Sequence, residues 1–209
     1  MPYEKSFIAT QGPKSNTVEE FWQMIYENNS KIIIMLCNLT EKKISKCHKY
    51  WTEYKSKKIE ISLGEEKILL DNLTQRSFIV KYIEKNETRE INQLHFTGWP
   101  DHGVPEIDTI YDTFDYMLKE AEKVILSDNP FPITVHCSAG VGRTGTFIAI
   151  FNNFYLINRL IEKNNTEVKF NVWNIVRKLK EQRRFLVENK HQYAFIYTYL
   201  AKYASKLIK

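Results

Sequence analysis

Apolar positions near the start of the chain predict a strand, a helix and a second strand. The first strand runs from Phe7 and is closed by a Gly-Pro turn. Thr17 and Glu20 have the spacing of a capping box, so we expect a helix from there to about Glu27. Residues 32 to 36 form a continuous apolar run, which is typical of a strand buried on both faces.

Between residues 47 and 97, short β-like runs alternate with turn residues. Such alternation predicts an antiparallel meander. Its predicted strands are residues 50–54, 58–63, 66–70, 76–83 and 93–96.

Helical spacing dominates the second half of the chain. Apolar residues three and four apart predict amphipathic helices at residues 106–126, 170–184 and about 191–204. A dense apolar segment at residues 146–160 predicts a further helix. Strands early and helices late indicate an α+β fold, a twisted mixed β-sheet flanked by helices.

Residues 133–145 differ from the rest of the chain. A β-branched run at residues 133–135 is followed by small and flexible residues, and then by the apolar helix. A strand, a tight loop and a helix direct backbone N–H groups and a positive helix end at one point. That geometry predicts a cradle for a phosphate-sized anion, with Cys137 at its mouth and Arg143 at its far end.

The two side chains suit nucleophilic chemistry on a phosphoryl group. A free thiol has a pKa near ~8.5, whereas cysteines beside oriented amides and an arginine fall to roughly 3.5–7.5. The planar guanidinium of Arg143 matches two phosphoryl oxygens. A cysteine after a β run is more often an inert core residue, but the glycines at 140, 142 and 145 and the arginine argue against that interpretation.

The residues His136-Cys137-x5-Arg143-Thr144-Gly145 match the His-Cys-x5-Arg-(Ser/Thr)-Gly signature of the protein tyrosine phosphatases. The resemblance extends to about Tyr199. It implies one catalytic domain over residues 1–209, with a strand–P-loop–helix active site that acts on phosphotyrosine-containing proteins. It implies that Cys137 is the nucleophile, and it favours His136 as a residue that tunes the thiol over a satisfied histidine at a strand end, which would also fit. The hydroxyl of Thr144 can donate to the departing thiolate. The implied phosphate-binding residues are Ser138, Ala139, Gly140, Val141, Gly142 and Arg143.

Residues 98–105 are the best source of the acid that the chemistry needs. Two prolines and two glycines bracket Asp101, which predicts a hinged loop. Asp101 would protonate the leaving oxygen and later accept a proton from the attacking water. An aspartate that only stabilises its own turn is the alternative, but the segment resembles the family's Trp-Pro-Asp loop, with Trp99 as its tryptophan.

Other roles are implied by the resemblance alone. Gln192 matches a glutamine that binds substrate and helps to place water, whereas Glu188 replaces the glutamine that usually positions that water. Gln182 matches a nearby position with a structural role. Glu41 and Lys46 resemble a loop whose acid pairs with the signature arginine and whose lysine approaches the general acid. By their own pattern they would be a solvated basic hairpin.

Composition narrows the possibilities further. The chain has 209 residues and a formal charge of +5, without the basic stripe or aromatic interleaving of a nucleic-acid-binding protein. It lacks a signal-peptide pattern and an apolar run long enough to span a membrane. Three cysteines show no disulfide or metal spacing, so we expect a cytoplasmic protein without a metal or cofactor. The sequence does not predict the oligomeric state.

Two departures from the family pattern keep other functions open. The family's domain carries a further N-terminal section with the phosphotyrosine-recognition loop, so we expect an N-terminally truncated form of it. With that loop missing and Glu188 substituted, a non-catalytic phosphotyrosine-binding module or a substrate-shielding pseudophosphatase is the main alternative. A sulfurtransferase with a similar cysteine loop is a third possibility, but that chemistry does not use the Asp101 loop.

Overall fold

The computed structural model describes residues 6–100, 103–163 and 171–207. Its main sheet contains β1 (Phe7–Gln11), β2 (Ile32–Met35), β5 (Tyr54–Lys55), β6 (Ile59–Leu70), β7 (Leu73–Tyr82), β8 (Glu87–Phe96) and β9 (Ile133–Cys137). A separate hairpin consists of β3 (Thr40–Glu41) and β4 (Ile44–Ser45). The helices are α1 (Val18–Glu27), α2 (Ile107–Ile125), α3 (Gly142–Glu162), α4 (Val172–Gln182) and α5 (Lys190–Leu207), and a 3-10 turn lies at Ile83–Lys85.

The main sheet has the order β1-β9-β2-β8-β7-β6-β5. Its first four strands are parallel, and the remaining pairs are antiparallel. The strand β9 lies between β1 and β2, and all five of its residues are buried. This position explains its β-branched sequence, because a central parallel strand is covered on both faces. The predicted α+β class with a mixed sheet is confirmed.

The helix α3 is buried along most of its length, and it packs against β9, α2, α4 and α5. Aromatic rings join these elements to the segment after β8. Phe114 of α2 contacts Trp99, Phe147 of α3 and Phe195 of α5, with ring centroids 5.9, 5.9 and 6.0 Å apart. This packing fixes the start of α3, where the phosphate cradle was predicted.

The predicted meander needs correction in several places. The predicted strand at residues 93–96 is only the end of β8, which begins at Glu87. Residues 58–63 and 66–70 belong to one strand, β6, because the break around Gly64 is a bulge that shifts the register against β7 between Leu63 and Glu66. The predicted strand at residues 50–54 was wrong for most of its length. Tyr50 and Trp51 are buried in a turn, and the short β5 begins only at Tyr54.

The predicted capping box was also wrong, although α1 begins and ends where expected. The Thr17 hydroxyl does not cap the helix but accepts a hydrogen bond from the backbone N–H of Lys14 at 2.9 Å. This bond closes the turn that precedes α1.

Candidate active site

The loop between β9 and α3 is held against the first strand. Gly140 has φ of +69°, and a Cβ on it would lie 2.1 Å from the carbonyl oxygen of Thr10. Only glycine suits this conformation and this close approach. The N–H of Gly12 donates to the carbonyls of Cys137 and Ser138, at 2.9 and 3.0 Å. The loop is therefore packed closely against β1 and the residue that follows it, Gly12.

A cleft of about 290 Å³ opens above this loop. Four segments form its lining: Cys137, Ser138, Ala139, Val141, Gly142 and Arg143 from the loop and α3, Lys46 after β4, Trp99, Pro100 and Gly103, and Glu188, Asn189 and Gln192 before and within α5. Cys137 is only 5% exposed, so a reagent reaches its thiol through this cleft.

Arg143 is oriented from behind by Glu41. Its two terminal nitrogens donate to the two oxygens of Glu41 at 2.6 and 2.7 Å, and one of them also donates to the carbonyl of Leu36 at 3.2 Å. Burial opposes the charge on Arg143, but the hydrogen bonds and charge of Glu41 outweigh it and raise the pKa of the guanidinium. The Lys46 ammonium lies 3.9 Å from the same carboxylate. An arginine held in this way presents a preorganised fork.

His136 contacts the backbone of the predicted nucleophile. It is fully buried, and burial lowers its pKa to about 4, so the ring is neutral near pH 7. Its Nδ1 lies 3.0 Å from the Cys137 carbonyl, and a carbonyl only accepts, so Nδ1 carries the hydrogen. Nε2 therefore accepts from the Tyr50 hydroxyl at 2.8 Å. The role of His136 in tuning the thiol stays a prediction.

Thr144 lies in the first turn of α3 and is fully buried. Its hydroxyl oxygen has no hydrogen-bond partner among the residues that the structure describes. A buried hydroxyl without a partner is unfavourable. Donation to a thiolate at Cys137 would satisfy it, and that donation remains predicted.

Gln192 and Glu188 meet at the rim of the cleft. Gln192 is buried, and its Oε1 accepts from the backbone N–H of Glu188 at 2.9 Å. Both side chains face Gly142, since a Cβ there would lie 2.7 Å from Gln192 Nε2 and 2.8 Å from Glu188 Oε2. Glu188, at the position where the family resemblance predicts a glutamine that orients water, therefore places a carboxylate in a site suited to an anion.

Gln182 and its neighbour Arg183 differ in their contacts. Gln182 is exposed at the end of α4 and does not line the cleft. Arg183 instead donates from Nε to the carbonyl of Gly140 at 3.1 Å and from a terminal nitrogen to that of Ala139 at 3.3 Å. Sequence reasoning missed this residue because it lies in a run of charged residues that predicts an exposed surface.

The predicted general acid, Asp101, lies outside the described residues, but the segments on either side of it meet the cleft. The carbonyl of Pro100 accepts from Arg143 at 3.4 Å. Trp99 is 2% exposed, and its indole N–H donates to the carbonyl of Gly103 at 3.2 Å. The two ends of the loop are therefore tied together at the edge of the cleft.

Comparison with known proteins agrees with this fold. The sequence profile described as "Protein-tyrosine phosphatase" matches residues 1–202. The chain belongs to the protein-tyrosine phosphatase family.

Among relatives, mouse receptor-type tyrosine-protein phosphatase eta is 40% identical over 196 residues, which are 92% of this chain and 15% of the relative. Human tyrosine-protein phosphatase non-receptor type 12 is 35% identical over 211 residues, covering 98% of this chain and 26% of the relative. The chain thus spans a small part of the length of these relatives.

A solved structure has the same fold. The catalytic domain of human protein tyrosine phosphatase non-receptor type 18 matches with a TM-score of 0.81 and 31% identity, over 94% of this chain and 68% of that one. The same phosphatase has been solved with HER2 phospho-peptides.

None of the helices in the described residues is long and apolar enough to cross a membrane. Within the same residues, no group of three or more His, Cys, Asp or Glu side chains could hold a metal ion.

Proposed function

We propose that this chain is a catalytic domain that hydrolyses phosphotyrosine in proteins through a cysteinyl-phosphate intermediate. The observation that carries the proposal is that Cys137 and Arg143 line one cleft at the start of α3, with Glu41 holding the arginine from behind. The phosphopeptide complexes of the non-receptor type 18 phosphatase support the choice of substrate class.

In the first step, the Cys137 thiolate attacks phosphorus and the bond from phosphorus to the tyrosine oxygen breaks. Amides of residues 138–142 and the Arg143 guanidinium bind the equatorial oxygens, where charge is held in the transition state. Asp101 gives its proton to the leaving phenolate. The closeness of Pro100 to Arg143 supports this role, because it brings the loop that carries Asp101 to the cleft.

In the second step, water attacks phosphorus and the bond from sulfur to phosphorus breaks. The Asp101 carboxylate accepts a proton from the water, the thiolate of Cys137 re-forms, and inorganic phosphate leaves. Gln192 lies in the same cleft and places the water. Thr144 stabilises the departing thiolate with its hydroxyl, which is otherwise unpaired among the described residues.

One observation favours a second candidate, a domain that binds phosphotyrosine without turnover. Glu188 sets a negative charge in the cleft where the water and the phosphate dianion would lie. If this charge prevents the second step, the cysteinyl phosphate accumulates after the tyrosine has left. If it prevents the first step as well, the substrate binds unchanged.

The deciding experiment is turnover of a phosphotyrosine peptide by the purified chain, with a phosphoserine peptide as the comparison. We expect release of phosphate from the phosphotyrosine peptide, and none from the Cys137→Ser variant, which should still bind that peptide. Binding without turnover in the unsubstituted chain would favour the second candidate.

We further propose that the reaction takes place in the cytoplasm, where a free thiol at Cys137 stays reduced.

A further inference from the structure

A line of buried hydrogen bonds connects the far side of the sheet to the predicted nucleophile. It begins at Arg76 on β7, which donates to Gln93 Oε1 on β8 at 2.9 Å. Gln93 Nε2 donates to the hydroxyl of Tyr50 at 2.6 Å, and this hydroxyl lies 2.8 Å from Nε2 of His136. His136 Nδ1 then reaches the carbonyl of Cys137 at 3.0 Å. Gln93, Tyr50 and His136 are each at most 1% exposed.

The direction of every bond in this line is determined by chemistry. Arginine has only donors, so the amide oxygen of Gln93 must face it and the amide nitrogen must face Tyr50. The Tyr50 oxygen thus accepts one bond and donates its own hydrogen to His136, whose Nδ1–H points at the carbonyl. All four donors point from Arg76 toward Cys137, and hydrogen bonds aligned in this way polarise and strengthen one another.

Arg76 is itself held firmly at the start of the line. It pairs with Glu66 on β6, its guanidinium lies 4.7 Å above the Trp51 ring, and its side chain is 11% exposed. The same nitrogen that contacts Gln93 also lies 3.1 Å from His95 Nδ1. A charged donor in a fixed place therefore orders the neutral groups that follow it.

The end of the line controls one peptide plane. The Cys137 carbonyl accepts from His136 and, at 2.9 Å, from the N–H of Gly12, so two donors fix its direction. The described residues contain no cis peptide bond. In a planar trans peptide, the N–H of Ser138 points opposite to the carbonyl of Cys137. Fixing the carbonyl on the side of His136 and Gly12 therefore directs the Ser138 N–H away from them, to the opposite side of the loop.

We propose that Arg76 and Gln93 are positioning residues for the reaction proposed above, and that they act through Tyr50 and His136 to orient the Ser138 amide toward bound phosphate. The inference rests on the proposed function for its role in turnover. Its test does not, because vanadate binding reports on the anion cradle even when no substrate is hydrolysed.

The first test measures vanadate affinity of Gln93→Met, which keeps the size of the side chain and removes the amide. We expect about tenfold weaker binding, since the line loses two hydrogen bonds and the amide it orients becomes less well defined. The same loss should appear in kcat more than in KM, because the cradle binds the transition state most strongly. In a Tyr50→Phe background, Gln93→Met should add little, since the line is already broken.

The second test uses a pair of arginines that are less buried than Gln93, in case the Gln93 variant does not fold. Arg76→Met is compared with Arg89→Met as the matched control. Arg89 also pairs with a glutamate, Glu87 at 2.7 Å, and also lies over an aromatic ring, Tyr26 at 4.0 Å, but it is outside the line. Both changes should lower the melting temperature, whereas only Arg76→Met should weaken vanadate binding, and Arg76→Lys should restore part of it.

Equal effects of the two arginine variants on vanadate binding would overturn the proposal, as would additive effects of the Gln93 and Tyr50 changes. If vanadate binding follows the line while phosphotyrosine is never turned over, the positioning role stands and the proposed function fails. If the unsubstituted chain binds no vanadate, both fail together.

Discussion

Gly140 is the residue at which a single added carbon atom should do most damage to the site. An alanine there would keep φ near +69°, a conformation that costs an L-residue about 1–2 kcal/mol. Its Cβ would also lie 2.1 Å from the Thr10 carbonyl oxygen, whereas ordinary contact begins at 3.4 Å, so a gap of 3.4 − 2.1 = 1.3 Å must open.

The strand β1 cannot open this gap easily, because all five of its residues pair with β9. The loop must move instead, and such overpacking costs about 1–3 kcal/mol. Together the two contributions amount to roughly 2–5 kcal/mol, which for a chain of this size lowers the melting temperature by roughly 4–20 °C. A displacement of about 1 Å in the cradle should reduce kcat/KM on a phosphotyrosine peptide by about 100-fold.

Gly103 provides the matched control for stability. Its φ is +90°, but a Cβ on it would meet nothing within 4 Å. Gly103→Ala should therefore show only the conformational contribution, about 1–2 kcal/mol. Calorimetry and vanadate titration of both variants check the reasoning. The reasoning would be refuted if both variants had equally lowered melting temperatures and if Gly140→Ala bound vanadate as tightly as the unsubstituted chain.

Three further predictions concern charge in and around the cleft. Burial lowers the pKa of His95 and of His136 to about 4. As pH falls, these histidines therefore take up protons in the unfolded chain before they do so in the folded chain. The contribution of the two histidines to the free energy of unfolding should be complete above pH ~6.5 and decrease toward pH 4 by up to roughly 3 kcal/mol for each histidine. Urea unfolding across this pH range measures it, and a free energy of unfolding that does not change with pH would contradict the reasoning. Glu188→Gln removes a negative charge from the cleft and should tighten vanadate binding by a few-fold at low salt, whereas unchanged or weaker binding would mean that the carboxylate does not face the anion. Arg183→Lys cannot reproduce the fork that contacts the carbonyls of Ala139 and Gly140, so kcat/KM should fall about tenfold while the melting temperature changes little, and an unaltered kcat/KM would contradict a bracing role.

The sequence alone was sufficient for the local geometry around the predicted nucleophile. A β-branched run, a loop of small residues and a helix lie within thirteen consecutive positions, residues 133–145. Local sequence determines such a unit because the chain direction, the loop length and the glycine conformations all act over a few residues. The structure has β9, Gly140 at positive φ and α3 in that order.

Short-range patterns were less reliable where tertiary contacts compete with them. A bulge at Gly64 preserves one long strand where the sequence indicated two, because pairing with β7 continues on both sides of the irregularity. Tyr50 and Trp51 have the composition of a strand, yet they are buried in a turn against aromatic residues and His136. In the first place the deciding partner is the next strand of a hairpin, whereas in the second it is remote in the chain, since His136 lies 86 residues from Tyr50.

The sequence by itself predicted which residues carry the proposed chemistry, because a thiol and a guanidinium six residues apart across a strand–loop–helix are expected to face one point. Apart from Glu41, whose pairing with Arg143 the family resemblance already implied, only the tertiary structure decided what holds them there. Glu41 comes from a distant hairpin, Arg183 from the end of α4, and the line from Arg76 crosses two strands before it reaches His136. Such partners follow from how distant strands and helices pack together, and packing of that kind has no signature in the spacing of residues along the chain.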